Sequence, residues 1–448
     1  MSRVTGTTTM IRMHSRVGAA STLLALALLA GCDTSLNLNN PNSPTQETAL
    51  SSIDGVVATE LGMQDQFAAS VLSYVRAPAL ITDEWGTASK ALAADQSLYT
   101  GDAIDPSYGV VSDPYYNTYR VARTADAIIN TVPKLGGLSA GFAAGLTANA
   151  KLFKAMALGM AAQQYARLPI DASVAGATPV DRAEVFTEVI RLLESAKSDL
   201  ANVSDADLAG FTSRAVSPGV DVRNTIDAML ARYYLISGQY QNAYDAAGRV
   251  NLSKTSLLTY PGSEINPIYN YSVVAGYVAP LRSWARGAEP GDKRVPFWTD
   301  TLATPPAGNP PTLQLVPFNM FSHRNDPFPL YVPGEMRLIQ AEALMRLPNA
   351  ASNIQQAIDL INAEREEAPT ATTPGAGFLP ADSLTTADLG TVDEVLAQIA
   401  HERRYELFSQ GLRWEDIRRF GALAGGVAKA SFLPMPQAEC TTNPNAGC

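Results

Sequence analysis

The chain has 448 residues, of which 46% are hydrophobic and 17% are charged, and its formal net charge is −10. A chain of this size and apolar content can bury a full core as one large domain or as two closely joined ones. Its Lys and Arg residues are scattered, and the one dense group of arginines, at residues 403–419, is interleaved with Glu and Asp. Nucleic acid is therefore excluded as an expected partner, because a phosphate backbone is bound by clustered basic side chains.

The N-terminus predicts a lipoprotein export signal at residues 1–31. Three arginines and no acidic residue accompany an uncharged run rich in Leu and Ala at residues 17–30. This run is shorter than the about 20 apolar residues that a transmembrane helix needs. It ends in the sequence LAGC, which resembles the lipobox of bacterial lipoproteins, so we expect cleavage before Cys32 and lipidation of that residue. An ordinary secretory signal is the alternative.

After the signal, the composition divides the chain into a tether and one folded domain. Residues 32–52 are rich in Asn, Pro, Ser and Thr and predict a tether, because they carry too little apolar surface to pack. Residues 53–448 are expected to form the domain. It comprises a helical scaffold at 53–255 and 328–421, an irregular insertion at 256–327, and a C-terminal tail at 422–448.

Helical periodicity dominates the domain, and strands with period-two alternation are scarce. Apolar residues three to five positions apart predict helices at residues 53–75, 115–132, 148–168 and 180–200. The predicted fold class is therefore all-α.

Residues 221–250 have the spacing of a tetratricopeptide helix pair. Small residues at Ala231 and Ala243 allow two helices to approach closely, Tyr234 fills the groove between them, and Gly238 permits the reversal of the chain. Asp227 stands where such a unit usually has a large residue. A second pair with a looser match follows at 333–347 and 354–366, and stacked pairs of this kind form a superhelical scaffold.

The insertion at residues 256–327 lies between these two pairs and is not helical in pattern. It holds 11 of the 29 prolines of the chain, which forbids long helices and continuous strand ladders. It is also rich in Tyr and Trp. A long irregular segment usually either carries function or is disordered, and the aromatic content argues against disorder.

The sequence does not decide whether two of the three cysteines form a disulfide. With Cys32 assigned to lipid, Cys440 and Cys448 remain, and the loop between them is short and turn-forming. A disulfide there would tie down the C-terminal tail of an exported chain. A free terminal thiol is the alternative.

Several motifs together resemble one family, SusD/RagB. The sequences VLAQIAHERRYEL at 395–407 and GLRWEDIRRFG at 411–421 look like its C-terminal signature, and LPMPQAE at 433–439 resembles its closing segment. Upstream, RLIQAEAL at 337–344 and INAER at 361–365 look like its penultimate helix pair. The blocks also occur in the family's order and spacing. Weaker similarities at 82–85 and 116–120 extend the resemblance over nearly the whole domain.

The charges of the C-terminal block predict packing rather than catalysis. Glu402 and Glu406 share one helical face beside Arg403 and Arg404. Such residues can form bidentate arginine–carboxylate pairs that lock the last helices onto the scaffold. Trp414 is likewise expected to be a core residue.

Catalytic and metal-binding motifs are weak. GLSAG at 137–141 fits the nucleophile elbow G-x-S-x-G, but that elbow follows a strand, whereas here a helix and a Gly-rich linker reaching Gly145 are predicted. The mature chain offers only His323 and His401 as bases, and these isolated histidines predict no zinc site. No cofactor is expected. Calcium binding stays an open alternative, because carboxylates on loops could bind the ion. These carboxylates are Asp83, Glu84, Asp102 and Asp105.

The resemblance implies a function as well as a fold. SusD-like proteins are lipoproteins on the outer face of the outer membrane, where they bind glycans or peptides for a SusC-like TonB-dependent barrel transporter and break no bond themselves. The implied partners are therefore that transporter, an oligosaccharide or peptide ligand, and the membrane through the lipid anchor. A structural adaptor lipoprotein and a surface hydrolase are the rival interpretations.

The family binds its ligands on aromatic faces that loops present. The resemblance therefore implies ligand-binding candidates among the aromatic residues of the insertion and of one early loop. A flat ring can cover the apolar face of a sugar with little loss of side-chain entropy. For each candidate, burial as a packing residue is the alternative. The candidates are Trp85, Tyr269, Tyr271, Tyr277, Trp284 and Trp298.

Overall fold

The computed structural model describes residues 46–171, 176–368 and 383–448. The predicted export signal, Cys32 and most of the predicted tether lie outside these ranges. The chain divides into two units after Ala49, and the described part of the first is the short helix α1, Gln46–Ala49. The second unit, Leu50–Cys448, holds all the other elements.

The unit Leu50–Cys448 is mainly helical, which confirms the predicted fold class. Its first nine helices are α2 (Ile53–Ala69), α3 (Val71–Ile81), α4 (Ala93–Thr100), α5 (Gly109–Thr131), α6 (Ala140–Ala162), α7 (Arg182–Leu200), α8 (Asp205–Ala215), α9 (Val222–Ile236) and α10 (Tyr240–Arg249). The following helices are α11 (Pro267–Tyr269), α12 (Arg282–Arg286), α13 (Arg294–Trp298), α14 (Pro333–Arg346), α15 (Ile354–Arg365), α16 (Val392–Glu406), α17 (Arg413–Phe420) and α18 (Gln437–Thr442). No described helix is both long and apolar enough to cross a bilayer.

Three short antiparallel strand pairs join loops to the helices. The strands are β1 (Trp85–Thr87), β2 (Arg167–Leu168), β3 (Val180–Asp181), β4 (Ser256–Leu258), β5 (Val278–Pro280) and β6 (Phe328–Tyr331). β1 pairs with β5, β2 with β3, and β4 with β6. Two of these pairs connect the insertion to other parts of the chain, because β4 and β5 lie within it.

The long helices pack on their neighbours in chain order. α5 packs on α6, α6 on α7, α9 on α10, α10 on α14, and α14 on both α15 and α16. The pairs α9/α10 and α14/α15 coincide with the two predicted tetratricopeptide units. Ala231 and Ala243 are fully buried between helices, and Gly238 has φ 72° in the turn. Asp227 accepts hydrogen bonds from Lys197 and Arg249 at 2.9 and 2.8 Å, so an ionic contact stands where a large residue is usual.

Two predicted boundaries were wrong. The helix predicted at 53–75 is two helices that meet at Ser70, whose hydroxyl donates to the Gln66 carbonyl at 2.6 Å. The part of the predicted Gly-rich linker from Ala140 to Gly145 belongs instead to α6. A side chain at Gly145 would lie 2.4 Å from Cδ1 of Phe211, so this glycine allows α8 to pack closely on α6. Close packing outweighs the low helix propensity of glycine here.

Arginine–carboxylate pairs fasten the C-terminal helices, as predicted. Arg403 of α16 forms two 2.9 Å bonds to Asp416 of α17. Arg419 bonds Asp416 at 2.7 Å and also pairs with Glu342 of α14. Arg232 of α9 holds Glu335 of α14 through two bonds of 2.7 and 2.6 Å. The charged family motif is therefore a packing motif in this chain.

Candidate ligand-binding surface

The three candidate tryptophans are buried, which favours for each of them the packing role that the sequence left as the alternative. Trp85, Trp284 and Trp298 are each 0% exposed. Their indole N–H groups donate to Ser409 Oγ at 2.7 Å, the Arg404 carbonyl at 3.2 Å and the Tyr405 carbonyl at 3.0 Å.

All three acceptors lie at residues 404–409, where α16 ends. A large ring stabilises most when it is buried and its polar edge finds a partner. The tryptophans therefore anchor the insertion and the β1 loop to the last scaffold helices.

The candidate tyrosines, in contrast, lie together and are partly exposed. Tyr271 and Tyr277 meet edge to face, with ring centroids 4.8 Å apart and an interplanar angle of 61°. Tyr269 lies in the same turn, and all three are half-buried. Between them, Val273 and Val274 are 48% and 56% exposed. We call these five residues the tyrosine face.

The backbone of the tyrosine face is an irregular turn between α11 and β5. The Asn266 side chain starts the turn by accepting from the amides of Ile268 and Tyr269, at 2.8 and 3.2 Å. A single π turn follows at Asn270–Val274, a conformation that is frequent at functional sites. Gly276, with φ 70°, then redirects the chain into β5, which pairs with β1.

A buried ion pair holds Tyr271 in place. Its hydroxyl donates to Asp95 Oδ2 at 2.6 Å, while Arg76 Nε donates to Asp95 Oδ1 at 2.6 Å. The guanidinium of Arg76 also lies 4.5 Å from the centre of the Tyr271 ring. Burial raises the pKa of Tyr271, and Asp95 raises it further although Arg76 opposes the shift. The hydroxyl therefore stays protonated and fixed, and only part of the ring is open to solvent.

The loop before α4 extends this surface. Lys90 Cδ and Nζ lie 3.7 and 3.9 Å from the position that a side chain on Gly276 would occupy. Leu92 is 43% exposed and lies in sequence between Lys90 and Asp95, which contacts Tyr271. The surface thus combines exposed aliphatic groups, partly exposed rings and an ammonium group.

The sequence missed the aliphatic residues and the lysine of this surface. Two adjacent valines in a loop were the available signal, but exposure of an apolar side chain depends on tertiary packing. The structure therefore adds Lys90, Val273 and Val274 to the predicted tyrosines.

Ser139 is a helix cap and not a nucleophile elbow. Its hydroxyl accepts from the Phe142 amide at 3.3 Å at the start of α6. The segment before it contains a 3₁₀ turn at Val132–Lys134 rather than the strand that an elbow requires.

The four carboxylates that were considered as calcium ligands form ion pairs or hydrogen bonds within the protein. Asp83 pairs with Arg404 at 2.7 Å and with Arg413 at 3.0 Å, and the buried Glu84 accepts from the Ser409 amide at 3.0 Å. Asp102 accepts from Thr100 at 2.5 Å and Asp105 from the Ser107 amide at 2.8 Å. Within the described ranges, no group of three or more His, Cys, Asp or Glu residues is placed to hold a metal ion.

At the C-terminus, Cys440 and Cys448 form the disulfide that the sequence left open. It joins α18, which contains Cys440, to the C-terminal residue Cys448. The loop between the two cysteines contacts the segment that follows β2, because Asn443 Nδ2 donates to the Ala177 carbonyl at 2.9 Å.

Comparison with known proteins identifies the fold and the C-terminal motifs. Residues 318–446 match the model of the SusD family. A SusD superfamily protein from Bacteroides thetaiotaomicron VPI-5482 superposes with a TM-score of 0.63 at 16% identity, covering 90% of this chain and 99% of that chain. A SusD-like carbohydrate binding protein from Bacteroides vulgatus ATCC 8482 gives 0.65 at 14% identity, covering 87% and 97%.

A laminarin binding SusD-like protein is also similar, with a TM-score of 0.61 at 17% identity, covering 88% of this chain and 98% of that chain. No curated protein matches the chain. At these identities the solved structures establish the fold alone. The predicted resemblance to the SusD/RagB family is nevertheless confirmed, because its C-terminal sequence pattern and its fold occur together in this chain.

Proposed function

We propose that this protein is a non-catalytic surface subunit that binds glycans through the tyrosine face and delivers them to a TonB-dependent outer-membrane transporter. The observation that carries the binding proposal is the pair Tyr271 and Tyr277, partly exposed and fixed by the buried Arg76–Asp95 pair. Rings that are already fixed lose little entropy when a ligand binds. The sugar-binding and laminarin-binding proteins that share the fold support a glycan over a peptide.

The chemistry of the face suits a saccharide. The apolar C–H side of a sugar ring can lie on Tyr277 and the neighbouring valines, and Lys90 can donate to its hydroxyl groups. Aromatic residues at the centre of an interface commonly carry much of its binding free energy.

The substitution Tyr277→Ala tests the face directly. We expect it to weaken binding about tenfold, equivalent to about 1.4 kcal/mol, because the exposed stacking ring is lost. Calorimetric titration with laminarin and other soluble glycans would measure the change.

The matched control is Tyr240→Ala, which removes a half-buried tyrosine from the scaffold helix α10. Both variants should keep the circular dichroism of the parent protein. Equal binding by Tyr277→Ala and the parent protein would contradict a role for the tyrosine face.

The membrane anchor and the transporter are further parts of the proposal. Cys32 lies outside the described residues, and its lipidation would attach the domain to the outer membrane, facing the cell exterior. A Cys32→Ala variant should then leave the membrane fraction. A pull-down of the lipidated protein from detergent-solubilised membranes should recover a large barrel protein.

The same experiments separate the rival functions. A structural adaptor would bring down another protein without binding any glycan. A hydrolase would convert members of a polysaccharide and peptide panel to products, and turnover by the purified chain would overturn the non-catalytic assignment.

A further inference from the structure

A second cleft, separate from the tyrosine face, lies between α5 and the C-terminal disulfide loop. Its volume is about 380 Å³, near the lower end of the range of about 300–1,000 Å³ typical of ligand pockets. It shares no lining residue with the tyrosine face. Its main described groups are Tyr115, Tyr116, Tyr119, Arg120 and Glu439.

Three tyrosines of α5 form an aromatic wall of the cleft. The Tyr115 ring meets those of Tyr116 and Tyr119 edge to face, with centroids 5.6 and 4.8 Å apart. The Tyr119 hydroxyl donates to the Pro169 carbonyl at 2.7 Å, which fixes that ring. Tyr116 is 36% exposed, so part of its ring is open to a ligand.

The Tyr115 hydroxyl is a buried polar group beside the Glu439 carboxylate. Tyr115 is only 2% exposed, and its oxygen interacts with the Glu439 carboxylate and the Tyr119 hydroxyl. Burial raises the pKa of this hydroxyl, and the nearby Glu439 carboxylate raises it further, so the group remains a protonated donor. Buried polar groups in native proteins normally have a partner, and Glu439 is the acceptor beside this hydroxyl.

The C-terminal disulfide loop holds the opposite wall. Asn443 and Asn445 donate through their side chains to the carbonyls of Ala177 and Gly176, at 2.9 and 2.7 Å. Asn443 also donates to Glu439 Oε1 at 2.6 Å, which orients that carboxylate. Because Cys440 and Cys448 close this loop, the disulfide stabilises both the wall and the position of Glu439.

The cleft offers the partly exposed ring and phenol of Tyr116. Its charged lining residues are two carboxylates and two guanidinium groups, those of Asp171, Glu439, Arg120 and Arg123. The two carboxylates balance the two guanidinium groups, so the lining favours a neutral ligand. Hydrogen-bond donors and acceptors beside an aromatic ring suit a hydroxylated one. We propose that this cleft is a second saccharide site, which binds the end of a neutral glycan of one or two sugar units. This inference rests on the proposed saccharide-binding function.

The test is a saccharide titration of the full mature chain labelled with 3-fluorotyrosine. The probes are maltotriose, cellotriose and laminaritriose, and the Tyr116→Phe and Tyr277→Phe variants assign the two fluorine resonances. We expect at least one probe to shift the Tyr116 resonance at millimolar concentration. Tyr116→Ala should weaken that binding at least fivefold and leave the shift at Tyr277 unchanged.

A matched control on the same helix is Thr124→Ala, which lies two turns beyond Tyr116 and outside the cleft. A variant with serine at both Cys440 and Cys448 should keep its helical circular dichroism and lose affinity at Tyr116 only. No shift at Tyr116 with any probe would overturn the second site.

Failure of the second site and failure of the proposed function give different results. A shift at Tyr277 alone would overturn the cleft and leave the proposed function intact. A shift at Tyr116 alone would support the cleft and move the primary surface away from the tyrosine face.

Discussion

At the residue scale, Glu60 shows how burial changes the chemistry of a single side chain. It lies in α2 and is 0% exposed. One carboxyl oxygen accepts from Asn149 Nδ2 at 2.7 Å, and the other has no hydrogen-bond partner among the described residues. Burial raises the pKa of Glu60 from 4.5 to about 8, although the Asn149 bond opposes the shift. The folded protein therefore holds a proton there at neutral pH.

This shift predicts a loss of stability as pH rises. Between pH 4.5 and about 8 the folded state binds this proton and the unfolded state does not. The contribution of Glu60 to the free energy of unfolding is therefore complete below pH 4.5 and is lost as the pH rises to about 8. The upper bound is about 5 kcal/mol, at about 1.4 kcal/mol per pKa unit. Glu60→Gln should remove this part of the pH dependence, as measured by urea unfolding at pH 5 and pH 8.

Glu184→Gln is the control, because Glu184 is exposed in the first turn of α7. The free energy of unfolding of this variant should depend on pH in the same way as that of the parent protein. Parallel curves for Glu60→Gln and the parent protein would show that the Glu60 carboxyl does not hold its proton in the fold.

At the element scale, α6 shows why glycines occur within a long helix. A side chain at Gly159 would lie 2.2 Å from Cζ of the fully buried Tyr233. In α2, Gly62 is exposed, and nothing lies within 4 Å of the corresponding position. Glycine therefore allows close helix packing in α6, whereas in α2 it only lowers the helix propensity.

Opposite effects are expected for alanine at these two glycines. Gly159→Ala should destabilise the fold by about 1–3 kcal/mol, because the added methyl group overpacks the contact between α6 and α9. Gly62→Ala should stabilise it by about 0.5–1 kcal/mol through helix propensity. Chemical denaturation measures both, and a stabilising Gly159→Ala would mean that Tyr233 can move aside.

At the scale of the whole molecule, one buried cluster joins segments that are far apart in the chain. Arg294 of α13 bonds Asp292 at 2.9 Å, Glu364 of α15 at 3.0 Å and Glu402 of α16 at 2.7 Å. All four side chains are at most 1% exposed. With the three buried tryptophans, this cluster fixes the insertion on the scaffold and so supports the loops that carry the tyrosine face.

Arg294→Met should therefore destabilise the protein by about 3–5 kcal/mol, because three buried carboxylates would lose their shared cation. The control Arg286→Met removes an exposed arginine that bonds Gln314, and should change stability by less than about 1 kcal/mol. Thermal and urea unfolding would compare them. Equal stabilities would show that the cluster does not hold the insertion in place.

The fold class, the two tetratricopeptide pairs and the family resemblance were predictable from the sequence. These depend on local periodicity and on ordered motifs, such as Ala231 and Ala243 at the helix crossing and the charged block at 395–421. Both kinds of signal are readable along the chain, because helix packing repeats with a fixed period. The packing role of the C-terminal charges was also predictable from their spacing.

Which aromatic residues face solvent, in contrast, depends on tertiary packing and was not predictable from the sequence. Trp284 and Tyr277 occur in the same proline-rich insertion, yet one is 0% exposed and the other is half-buried. Trp284 is buried because it packs at the end of α16, where the Arg404 carbonyl, 120 positions away in the chain, accepts its indole N–H. The position of Tyr115 beside Glu439 and the wall built by the disulfide loop likewise depend on contacts between distant segments, which no local pattern encodes.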